Sequence, residues 1–253
     1  MPVQFAIPVA AFMVIASLIG LAIFAASRRR AAQEDELTRV ASARGWSFES
    51  TLEKGYRVHR WSGTTDGISW IAESLRHTGA KGQDRKRRIA RWHGHRSPGI
   101  TGAIVVMGLP TGKEDFAHSL AEGDGVVATL VKKVAGFAFD KAIDAYFGDG
   151  PGKEVDAGAM HRIATQTPGF VVMAADKSEG ACVLEQWLEH ALIQASSDKG
   201  SVLSNDERPW ILLRPKAISI ARMERFRDVN EIESFIRAGV ALTRTSRFGR
   251  PSL

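Results

Sequence analysis

One run constrains this chain before anything else does. Residues Phe5 to Ala26, FAIPVAAFMVIASLIGLAIFAA, hold 22 positions without a charge. As a helix rising about 1.5 Å per residue the run is roughly 33 Å long, against a hydrocarbon core of about 30 Å. It is therefore expected to span a membrane. A cleaved signal peptide would put its basic residues ahead of a shorter apolar core. Here MPVQ carries no Lys or Arg, and Arg28, Arg29 and Arg30 follow the run. Because Lys and Arg beside a span mark the cytoplasmic side, residues 28–253 are expected inside the cell, the N-terminus outside, and the protein at the inner membrane. Ala16 and Gly20 form one small-xxx-small pair, compatible with a homo-oligomer through the span and equally with lipid-facing sequence.

Charge narrows the partners. The chain has 34 Lys+Arg against 28 Asp+Glu, a net +6. Two acid-free segments account for the excess: Arg28 to Arg30, and Arg85 to Arg96 in QDRKRRIARWHGHRS, where Arg85, Lys86, Arg87, Arg88, Arg91 and Arg96 fall. Without those nine the balance is 25 to 28, or −3. The basic character is local, which argues against a nucleic-acid-binding domain. Near an anionic leaflet each Lys or Arg adds on the order of 1 kcal/mol of attraction. Contact with anionic lipid headgroups thus ranks ahead of a solvated loop, and that ahead of an acidic protein or nucleic acid.

Past the basic cluster, residues 31–44 keep helical spacing and Gly45 stands where a C-terminal cap belongs. Period two then takes over in WSFES, YRVHRWSG and GISWIAESL, with Asp66-Gly67 as a tight hairpin turn. A polar stretch from Arg76 to Arg88 reads as a hairpin loop. IARWHG (89–94) and GAIVVMGL (102–109) follow as strands, residues 126–147 as a helix, and GDGPGK (148–153) as a loop or subdomain linker. FVVMAAD (170–176) is a strand, 179–196 an amphipathic helix, and Trp210–Leu213 with Ala217–Ala221 a hairpin. Asp228 caps a last helix with Glu231 at its third position, and the polar tail from Thr243 is expected to fray. The expected fold is α+β: a transmembrane helix with its basic cluster (1–30), a juxtamembrane helix (31–45), a cytoplasmic domain (46–243) with an antiparallel sheet and two or three packing helices, and a flexible tail (244–253).

Catalytic signals are faint. GLPTGKED spaces its glycines too closely for a phosphate loop and puts Glu114 where Ser or Thr belongs. His93 and His95 share a strand face, yet no other ligand completes a metal site and the neighbouring arginines repel cations. Cys182, the single cysteine, excludes an internal disulfide and reads as a small buried hydrophobe at a helix start. No cofactor, metal or catalytic residue is assigned. In layout the chain resembles small bacterial single-pass proteins with one cytoplasmic domain. The reading is a membrane-anchored binding or scaffolding module, with a membrane-tethered hydrolase and an anionic-partner binder as alternatives.

Overall fold

The structure, a computed structural model, describes residues 3–78, 88–95, 98–109, 139, 141–148, 155, 159–197, 208–224, 226 and 228–248; residues 3–16, 195–197 and 247–248 are described by backbone alone. The chain resolves into two compact units, Met1–Phe48 and Glu49–Leu253.

The first unit is dominated by α1 (Val3–Ala43), an unbroken helix that carries the apolar run directly on through residues 31–43. Among the residues described with their side chains, 17–43 in this helix, no stretch is long and apolar enough to cross a membrane. Gly45 ends the helix as the spacing predicts: at φ +69° its N–H reaches Ser42 O, and the Trp46 N–H reaches Ala41 O at 2.9 Å. That pair of bonds is a Schellman cap.

Among the described residues of the second unit and its boundary, nine strands form one antiparallel sheet: β1 (Ser47–Glu53), β2 (Tyr56–Thr65), β3 (Ile68–His77), β4 (Arg88–Gly94), β5 (Ile104–Gly108), β6 (His161–Ile163), β7 (Phe170–Ala174), β8 (Trp210–Arg214) and β9 (Ala217–Arg222). Their spatial order is β1-β2-β3-β4-β9-β8-β5-β7-β6. Asp66 and Gly67 both take positive φ, 53° and 70°, so the predicted hairpin turn forms and β2 pairs with β3 from Thr65↔Ile68 outward. Lys54-Gly55 makes the same kind of turn between β1 and β2. The predicted hairpin across Arg214–Ala217 is present as β8–β9. The short strand β6 was not foreseen. Residues 149–154, most of the proposed linker, lie outside the described residues, and strands from both sides of that stretch enter the one sheet.

Period two sends alternate residues to opposite sides. One face carries Trp61, Trp92, Ile104, Val106, Ile211, Leu213, Ile218 and Ile220, all buried. It is covered by α3, a continuous helix made of Lys177–Val183, a π-helical turn at Leu184–Leu188 and Glu189–Ser197, and by α4 (Val229–Phe248). The sequence-level stripe of α4 does the covering: Ile232, Phe235, Ile236 and Val240 are at most 5% exposed. Trp92 lies so close to α4 that only a glycine fits opposite it; a Cβ on Gly239 would sit 2.3 Å from the indole. On the other face Val105, Leu212 and Ala221 pack with Ile143 and Phe147 of α2 (141–147). Residues 126–138, the first part of the helix expected there, are outside the described set.

Both caps of the covering helices are side-chain carboxylates. Asp176 Oδ1 accepts the Glu179 N–H at 2.7 Å and Asp228 Oδ1 the Glu231 N–H at 2.9 Å. The Glu231 carboxylate lies 2.9 Å from Arg222 Nη2, a guanidinium only 2% exposed that also rests over Phe226 and Phe235. Past Thr243, where the polar sequence suggests fraying, α4 continues to Phe248, and the buried Ser246 Oγ donates to Thr243 O at 2.7 Å.

Candidate functional site

Arg28, Arg29 and Arg30 are exposed on α1, with the Arg28 guanidinium over the Phe24 ring. Of the second basic cluster, Arg85, Lys86, Arg87 and Arg96 lie outside the described residues, while Arg88 and Arg91 are on β4. Three residues apart on a strand, these two face opposite sides of the sheet. Arg91 turns to the α2 side, where its Nε donates to Tyr146 O at 2.6 Å and its Nη2 to Ala145 O at 3.1 Å. Carbonyls at the end of a helix lack intrahelical partners, so a cation there satisfies them and favours the negative end of the helix dipole. Arg91 is thus engaged in holding α2 to the sheet. Arg88 turns to the other face, directly opposite Arg76 of β3.

His93 shares the Arg91 side. Its Nδ1 is 2.9 Å from Ser219 Oγ. Burial, then the charges of Arg91, Arg214 and His95, lower its pKa from 6.5 to about 3, so the imidazole is neutral in ordinary buffers. His95 lies beyond the end of β4, exposed, with its N–H on Ser69 O. The two histidines therefore do not act as a pair on one strand, and no group of three potential metal ligands occurs among the described residues. Cys182 is exposed on α3, contrary to the buried position expected of it, and accepts a hydrogen bond from Gln186 Nε2 at 3.0 Å. It lies one position before the buried stripe that begins at Val183 and Leu184.

The remaining polar clusters are structural. Arg60 binds Glu73 at 2.8 Å, with Glu53 and Glu49 at 3.4 and 3.5 Å. The hydrogen bond that Arg60 donates to Glu73 raises the Arg60 pKa, against the opposing effect of burial, and the three carboxylate charges add to the rise. Glu179 accepts the backbone N–H groups of Thr101 and Gly102, and Glu189 those of Gln166 and Thr167, so each carboxylate pins a loop to α3. A cavity of about 290 Å³ opens between the Thr101–Ala103 loop, Met160 and Arg214, and among the described residues that line it Arg214 is the one ionisable group. Comparison with protein-family models, with curated proteins and with solved structures finds no match.

Proposed function

We propose that the protein is a single-pass membrane protein whose cytoplasmic α+β unit is a binding or scaffolding module at the inner face of the membrane. The observation that carries this reading is the continuity of α1. One helix holds the uncharged run Phe5–Ala26 and, immediately after it, Arg28 to Arg30. Residues 5–16 complete the run in sequence ahead of the stretch described with side chains, and a 22-residue run has the length a bilayer requires. The three arginines set the orientation. Binding in place of catalysis is supported by the site inventory: Asp176 and Asp228 are spent on caps, Glu179 and Glu189 on loop ties, and Glu73 and Glu231 on ion pairs.

Topology is tested by fusion. With alkaline phosphatase joined after Leu253, bacterial cells should show little activity, because the enzyme matures only in the periplasm; a fluorescent protein at the same place should glow from the membrane fraction. An active phosphatase fusion would reverse the orientation, and a protein released from membranes by carbonate would remove the anchor.

A further inference from the structure

The pairing register lines up three arginines across three strands. Arg57 on β2 lies opposite Arg76 on β3, and Arg76 lies opposite Arg88 on β4. All three belong to the face that carries Trp61 and Trp92, since Arg57 and Arg88 each precede one of those residues by four positions and Arg76 is four past Ala72, the partner of both. With strands about 4.8 Å apart, the three Cα atoms span about 10 Å. Like charges directly opposite one another destabilise a sheet, and here the clash occurs twice in succession.

Arg76 is exposed, Arg57 and Arg88 are half-buried, and each of these latter two has a further interaction within the protein. Glu73 and Glu53 are taken up by Arg60 on the other face, and Glu231 by Arg222. Glu224, just past β9, is a further acid with its own interaction within the protein. The exposed Lys54 turns the chain into β2 at the same end of the sheet.

We propose that Arg57, Arg76 and Arg88 form a docking surface for anionic lipid headgroups; this rests on the membrane-anchored reading and adds Arg57 and Arg76 to the contact. The choice of lipid over single-stranded nucleic acid follows from the aromatic residues of this face. Base recognition needs exposed rings to stack on. Trp61 and Trp92 are 3% and 0% exposed, so they serve the core and leave charge alone at the surface. Charge alone is sufficient for a phosphate-bearing leaflet, at about fivefold in partitioning per arginine and on the order of a hundredfold for three.

The test is arginine footprinting of the full chain in nanodiscs of phosphatidylcholine, with and without roughly 30% phosphatidylserine as the anionic lipid. A dicarbonyl reagent should modify Arg57, Arg76 and Arg88 at least fivefold more slowly in the anionic discs. The difference should vanish in high salt, where the screening length falls to about 3 Å. Arg237, exposed on α4, should react equally in both. Equal rates at the three arginines in both discs would overturn the docking surface while leaving the anchor intact. Slowing by a single-stranded oligonucleotide, with no effect of phosphatidylserine, would overturn it in favour of nucleic acid. Failure of the chain to enter discs would instead remove the anchor, and the same footprint with added vesicles of both compositions would still decide the row. Replacing the exposed central residue alone, Arg76→Gln, should weaken the phosphatidylserine response, and the triple variant Arg57→Gln, Arg76→Gln, Arg88→Gln, with its fold checked by circular dichroism, should lose it.

Discussion

Arg88 and Arg91 stand three residues apart on β4, and the odd spacing decides what each does. Arg91 ties the last carbonyls of α2, so its loss is a matter of stability. Replacing it with Met removes two charge-assisted hydrogen bonds at a partly exposed site, at a cost of about 2 kcal/mol in urea unfolding. Anionic-vesicle binding should stay within twofold of wild type; a large loss there would return Arg91 to the contact surface. His93, on the same side, gives a pH dependence whose sign is fixed by its depressed pKa. The unfolded chain takes up this proton near 6.5 and the folded one near 3. Stability from the neutral imidazole is therefore complete above about pH 6.5 and drains away as pH falls toward 3. At about 1.4 kcal/mol per unit the loss reaches at most about 5 kcal/mol, reduced by the solvent that the half-buried ring still meets. Urea midpoints of the wild type should drop between about pH 7 and pH 4, and His93→Gln should flatten part of that drop. An equal drop in the variant would assign the acid sensitivity elsewhere. Part of this was legible beforehand: period two alone separates positions 88 and 91. The partners were not, because Tyr146 and Ser219 lie 55 and 126 residues further along the chain.

Among elements, the hairpins were the most readable and the strand neighbours the least. Once Asp66-Gly67 is taken as the turn, every β2 residue has its β3 partner by counting outward, and Arg57 meets Arg76 without any structure. The signal for the arginine row is thus present in the sequence, in the pairing register and outside the runs of adjacent charge. β6 carried no such signal, being the three residues His161–Ile163 with two exposed. The π turn in α3 was equally silent, since its buried stripe, Val183, Leu184, Trp187 and Leu188, reads as ordinary helical spacing. Helix α4 makes a prediction at this scale. Alanine favours a helix over glycine by about 1 kcal/mol, and a solvent-facing Gly239→Ala would gain that much. Gly239 instead faces a fully buried indole at 2.3 Å from the position of the new Cβ. Overpacking of this kind costs about 1–3 kcal/mol, so the variant should melt below the wild type, with near-ultraviolet circular dichroism changed by the shifted Trp92. A rise in melting temperature would show that α4 slides away freely.

At the scale of the molecule, strand order decides how the chain divides. GDGPGK at 148–153 has the composition of a linker, and with β1 to β5 before it and β6 to β9 after it, two subdomains would be the natural division. The sheet interleaves the two parts. β9 and β8 lie between β4 and β5, and β5 in turn lies between β8 and β7. The first part alone would leave β4 and β5 without neighbours on the sides where β9, β8 and β7 pair with them, and β5 would have no partner at all. Unpaired strand edges of that kind invite association with other chains. A protease site set into residues 149–153 therefore separates two predictions. In an interleaved sheet the cut chain stays together, runs as one species in gel filtration and melts in one transition, slightly below the intact protein because the connection no longer limits the entropy of the unfolded state. Residues 1–148 expressed alone should aggregate, and adding the second fragment during refolding should rescue them. Two fragments that separate after cutting and retain their circular dichroism apart would mean two independent cores, an arrangement the strand order does not allow.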